Sequence, residues 1–146
     1  MKDKKWKIGF AIYCALMLVL LFGRNRAVEG LPYWEQLRQH FNPVPLRTIT
    51  NYVRLLSSAN RGFVRAAVIN LFGNLVMFVP LGYFLPGVFP KMRAFWKVLL
   101  TTAAVITVVE LLQMLTLVGS CDIDDLILNL IGSALGYCVY KCIVRK

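Results

Sequence analysis

With 146 residues, 58% of them hydrophobic and only 16% charged, the chain has one domain's length and a composition far from that of a soluble globular protein. Its net charge of +10 would suit a nucleic-acid binder, but the basic residues punctuate apolar runs and form no stripe with interleaved aromatics, which favours anionic lipid and excludes nucleic acid. Cys14, Cys121, Cys138 and Cys142 have neither disulfide-framework nor metal-ligand spacing, so no metal or other cofactor is expected.

A hydrocarbon core of ~30 Å takes about 20 largely apolar residues per crossing helix. The first such run covers residues 8–22, with Trp6, Lys7 and Arg24 placed to reach the interfaces. Lysines precede it as in a signal peptide, but GRNRAVEG after it offers no small-x-small cleavage site, so it reads as an uncleaved anchor. The loop at 23–65 contains Pro32, Pro43 and Pro45, which bar a long helix before Leu46. From 46 to 65 the periodicity becomes helical. Arg47, Arg54 and Arg61 share a face with Thr50 and Ser57, as in a helix lying at the membrane interface. The sole histidine, His40, has no partner ligands in sequence and is assigned no chemistry.

Three more apolar runs follow at 66–89, 95–118 and 126–144. Pro80, Pro86 and Pro90 should bend or end the first of these. The expected fold is therefore an all-α membrane protein of a single domain: a bundle of four transmembrane helices with an interfacial helix in the first outer loop. No internal repeat is visible, so the signature of many transporters is absent.

Orientation follows from the lysines and arginines beside the helix ends. Lys2, Lys4, Lys5, Lys7, Lys91, Arg93, Lys97, Lys141, Arg145 and Lys146 fall on one side, taken as cytoplasmic, which puts both termini inside and the acidic 122–125 loop outside. The 23–65 loop then lies outside despite seven arginines. Arginine is the basic side chain suited to bidentate pairing with carboxylate or phosphate, so Arg47, Arg54, Arg61 and Arg65 are candidate anion-binding residues.

Polar residues inside hydrocarbon are costly and usually pair or carry function. Asn70 and Asn74 lie one turn apart on the second helix, and Glu110 and Gln113 one turn apart on the third. On the fourth, Asp125, Asn129, Gly132 and Gly136 keep one face, and the glycines let a neighbour approach closely. At ~1.5 Å rise per residue all of these polar side chains fall at the outer end of the bundle. Asn70, Asn74, Glu110, Gln113, Asp122, Asp124, Asp125 and Asn129 are the candidate polar site. Its carboxylates require cationic partners, a metal or a proton, and Arg61 or Arg65 should lie beside the aspartates.

NLFGNLVMFVPLGYFLP at 70–86, ELLQ at 110–113 and GSCDIDDLILNLIG at 119–132 together resemble the VanZ-like family of bacterial membrane proteins, and NPVPLRTI at 42–49 resembles the motif before that family's second helix. Carried over by position, the motif residues are Asn70, Asn74, Pro80, Gly82, Glu110, Gln113, Asp122, Asp125, Asn129 and Gly132. Where many members carry an arginine, this chain has Gly119. The family is named for a protein encoded with glycopeptide-resistance genes that raises tolerance to teicoplanin. The resemblance implies a protein of the bacterial cytoplasmic membrane that modulates glycopeptide susceptibility; the outer arginines and carboxylates suggest that it does so by binding a membrane lipid or a lipid-linked cell-wall intermediate through an anionic headgroup at the outer leaflet. The alternatives are an enzyme acting on a lipid phosphate or sugar through Glu110 and the 122–125 cluster, or a lipid transporter. No nucleophile elbow, P-loop or zincin motif supports the enzyme.

Overall fold

The computed structural model describes residues 2–23 and 30–144, with side chains from Lys4 onward. Arg24, Arg26 and Glu29 of the first loop, the Lys2 side chain, and Arg145 and Lys146 lie outside the described residues. Helices α1 (Lys2–Phe22), α4 (Arg61–Met77) with α5 (Val79–Val88), α6 (Phe95–Leu115) and α7 (Ile123–Val144) supply the four segments long and apolar enough to cross a bilayer. Two short helices, α2 (Tyr33–Gln39) and α3 (Arg47–Leu55), and the paired segments β1 (Phe41–Asn42) and β2 (Cys121–Asp122) occupy the loops.

The distribution of side chains is inverted relative to a protein in water. Large apolar residues such as Ile12, Leu16, Val19, Leu100, Val108 and Ile131 are exposed, while Thr102, Glu110, Asn129 and Ser133 are buried. Hydrocarbon is the solvent that makes this arrangement favourable. Between α6 and α7 the Thr102 and Ser133 hydroxyls hydrogen-bond at 2.8 Å, so each satisfies the other.

The centre of the bundle is α7. A Cβ at Gly82 would land on the Ser133 carbonyl oxygen, one at Gly132 on that of Leu75, and one at Gly136 on that of Val79. Backbone therefore touches backbone along the α4/α5–α7 contact, the close approach expected of Gly132 and Gly136. The second span is broken at Phe78, between α4 and α5. Pro80 has no N–H to continue the ladder, and it sits in the first turn of α5, where none is needed. Pro86 lies within α5 and Pro90 opens a short 3-10 turn, Pro90–Met92. Helix α1 is the least buried of the spans. Trp6, Phe10 and Tyr13 meet Tyr83 and Phe84 of α5, and the Tyr13 hydroxyl donates to the Met77 carbonyl at 3.0 Å, where the α4 ladder ends.

Several boundaries differ from expectation, each for a local reason. The 46–65 stretch is two helices: α3 stops at Leu55, and Asn60 starts α4 by accepting the Gly62 N–H at 2.8 Å. Arg61 and Arg65 thus belong to the second span and do not extend the face that carries Arg47 and Arg54. Helix α6 ends at Leu115 because Leu117 turns left-handed at φ 55 and the Val118 and Gly119 N–H groups fold back on the Gln113 carbonyl. Helix α7 begins at Ile123, where the Asp122 carboxylate caps it by accepting the Asp124 N–H at 2.9 Å. Helix α2 was not foreseen; Pro32 precedes its first residue.

Candidate functional site

β2 with the first turn of α7 and the first loop are stitched together by carboxylates and backbone. Parallel pairing sets Phe41 beside Cys121 and Asn42 beside Asp122, and the Cys121 N–H donates to the His40 carbonyl at 2.8 Å. One Asp122 oxygen caps α7; the other accepts the Thr48 hydroxyl at 2.6 Å and the Asn42 amide at 3.1 Å. Asp124 has no exposed surface. Its carboxylate accepts the N–H groups of Leu46, Thr48 and Ile49 at the start of α3, an anion on a helix N-terminus. Leu46, at φ 64, is held in the left-handed region so that its N–H can join them.

For Asp122 and Asp124 other partners take the place of the expected arginines. Among the described residues no arginine forms an ion pair with Glu110, Asp122 or Asp124. Arg47, Arg54, Arg61 and Arg65 are all exposed. Backbone N–H groups, the Thr48 hydroxyl and the Asn42 amide stabilise the two buried aspartates without the entropy cost of ordering long cationic side chains. Among the described residues no three Asp, Glu, His or Cys side chains are grouped as metal ligands either.

Behind the stitched loops lies a cavity of about 340 Å³. Asn70 and Asn74 of α4, Glu110 and Gln113 of α6, Asp125 and Asn129 of α7, and Asp122 line it, whereas Asp124 stands outside, fully engaged by α3. Leu20 and Leu21 of α1, Gly73 of α4, and Thr48 and Tyr52 of α3 are also in the wall. Asn74 Nδ2 donates to Asp125, and Gln113 Nε2 donates to the Leu21 carbonyl at 2.7 Å. Asn70 Oδ1, Glu110 Oε1 and Asn129 Oδ1 are buried without a hydrogen-bond partner. Unpaired buried acceptors ordinarily cost ~1–3 kcal/mol each, so their clustering on one cavity needs an explanation. Cys121 is half-buried, with Sγ 4.0 Å from Glu110 Oε2. Burial first, and then the Glu110 and Asp122 carboxylates, push its thiol above the ordinary range.

A second, more open hollow adjoins the first, with Thr48, Ser120 and Asp122 in both walls. Arg38, His40 and Arg47 line it. Of the four candidate anion-binding arginines only Arg47 lines either hollow, and Arg38 was not foreseen. His40 Nδ1 lies 2.7 Å from the Gln36 carbonyl, so Nδ1 carries the proton in that contact. Thr48 and Asn42, also absent from the expected site, sit in the NPVPLRTI stretch whose resemblance to a family motif was the available signal.

Apolar helices around a buried polar cavity at one end of the bundle define a helical membrane protein. A model of the VanZ/LLP1 family matches residues 10–145, nearly the whole chain, and the chain belongs to that family. No curated protein and no solved structure matches it.

Proposed function

We propose that the protein binds the phosphate-bearing headgroup of a membrane lipid or lipid-linked cell-wall intermediate, and thereby alters susceptibility to glycopeptides such as teicoplanin. The single observation that carries this reading is a cavity of ligand size, about 340 Å³, whose walls come from every span and retain unpaired buried acceptors. Arg38 and Arg47 at the adjoining hollow supply the charge for a phosphate at the mouth. The lysine distribution turns this end of the bundle outward, towards the leaflet where cell-wall intermediates are used.

The test is a mass spectrum of lipids extracted from purified protein, comparing wild type with Gly73→Trp. A Cβ at Gly73 meets nothing within 4 Å, so a large side chain there fills the cavity without displacing backbone. Wild type should retain a lipid that the variant loses, and teicoplanin tolerance should fall in the variant and in Glu110→Gln at unchanged expression. Equal lipid content and equal tolerance in all three proteins overturns the reading.

A further inference from the structure

Resting on that reading, we infer that the part of the headgroup entering the cavity, beyond its phosphate, carries several N–H or O–H donors: a primary ammonium or a polyol. Glu110 and Asn129 are 6% and 5% exposed, both line the cavity, and each keeps one oxygen without a partner. Asn70 adds a third unpaired oxygen from the facing helix α4. The Asn70 and Asn129 oxygens, as oriented, can only accept.

Among the described residues no Lys or Arg lines this cavity, while Glu110, Asp122 and Asp125 do. A second anionic group would meet the Asp122 and Asp125 carboxylates there and be repelled. An apolar group would leave the acceptors desolvated and unmatched, the costly half of a hydrogen bond. A donor-rich group matches them, and a ligand that reproduces the bonds otherwise made by water loses nothing by displacing it. The phosphate remains in the adjoining hollow with Arg38 and Arg47, which shares a wall with the cavity through Thr48, Ser120 and Asp122. One headgroup can thus present an anion to one hollow and donors to the next.

The probes are four phospholipids with identical acyl chains, offered in equal amounts to the purified full-length protein in detergent. Phosphatidylethanolamine and phosphatidylglycerol carry donors. Phosphatidylcholine carries a cation without donors, and phosphatidylmethanol neither. Native mass spectrometry should show one or both donor lipids retained at least about tenfold over the other two, the scale of one well-made hydrogen bond in a dry site. Preference for ethanolamine identifies ammonium as the source, and preference for glycerol identifies a polyol.

Asn129→Leu and Asn70→Leu remove unpaired acceptors at similar volume, so each should erase the preference while leaving thermal stability unchanged or raised. A pair of asparagines acting only as glue between helices would instead lose stability on this change. Equal retention of all four lipids, with loss in Gly73→Trp or in the milder Gly73→Leu, overturns the donor inference and leaves the lipid-binding reading standing. No retained lipid that responds to either Gly73 variant overturns both.

Discussion

Replacing Asp124 with alanine should release α3 from α7. The carboxylate accepts three backbone N–H groups, from Leu46, Thr48 and Ile49. Bonds to a charged acceptor contribute ~1.5–3 kcal/mol each, and water reaches the freed donors at this end of the bundle, so the lower figure applies and the three sum to about 4.5 kcal/mol. Part of that returns. Leu46, at φ 64, no longer has its N–H held and can relax from the left-handed region, recovering ~1 kcal/mol and leaving a net loss of about 3–4 kcal/mol. Thr48 and Tyr52 of α3 line the cavity, so its rim loosens as well. Two measurements check this: reversible unfolding of the purified protein in mixed micelles, and thermolysin cleavage between residues 40 and 60. Asp124→Asn keeps one acceptor oxygen but turns an N–H₂ group towards backbone donors, and should fall between wild type and alanine. If Asp124→Ala unfolds within about 1 kcal/mol of wild type and its first loop resists the protease equally, the carboxylate is not the clamp described.

Cys121, in a variant lacking the other cysteines, should react with a membrane-impermeant maleimide on intact cells, and labelling only after the cells are opened reverses the proposed orientation. Because its thiol is pushed up, the thiolate fraction at neutral pH is below that of an ordinary cysteine. Labelling should accordingly be slow at pH 7 and accelerate ~tenfold per pH unit as far as that raised pKa. Gly132→Ala and Gly136→Ala force a methyl onto the Leu75 and Val79 carbonyls and should each cost ~1–3 kcal/mol in micelle unfolding, whereas Gly73→Ala, with open space at its Cβ, should match wild type within the backbone effect of ~1 kcal/mol. Reversing Asp122 and Arg61 together should give no rescue over Asp122→Arg alone, since Asp122 is bound to Thr48, Asn42 and the start of α7; recovery of stability in the double variant would contradict that.

Where the sequence was legible, helical arithmetic made it so. Asn70, Asn74, Glu110, Gln113 and Asn129 sit within regular helices, and rise per residue sufficed to set them at one depth, where they line one cavity. The loops obeyed a different physics. Charge counting joined Asp122 and Asp124 to arginines because formal charges are visible in a sequence and backbone N–H groups are not. Asp124 found its donors at the first turn of α3, a helix end whose location depends on where Leu46 turns left-handed. Nor could periodicity separate α3 from α4: Ser58 and Asn60 break the helix through side-chain bonds to nearby N–H groups, a local competition that leaves the spacing of apolar residues intact.

The glycine contact between α7 and the α4/α5 span also bears on biosynthesis. Helices enter the bilayer in chain order, and α7 follows the other three spans. Until it arrives, Asn74 lacks Asp125, Thr102 lacks Ser133, and the carbonyls of Leu75 and Val79 have no glycine face against them. The nascent three-span intermediate therefore holds Asn70, Asn74, Glu110 and Gln113 in lipid with the cavity one wall short. Docking of α7 closes that wall, caps α3 through Asp124 and creates the site in one step. A change that slows this docking leaves a partly polar intermediate exposed to membrane quality control, so defects at Gly132 or Gly136 should show first as reduced abundance in cells.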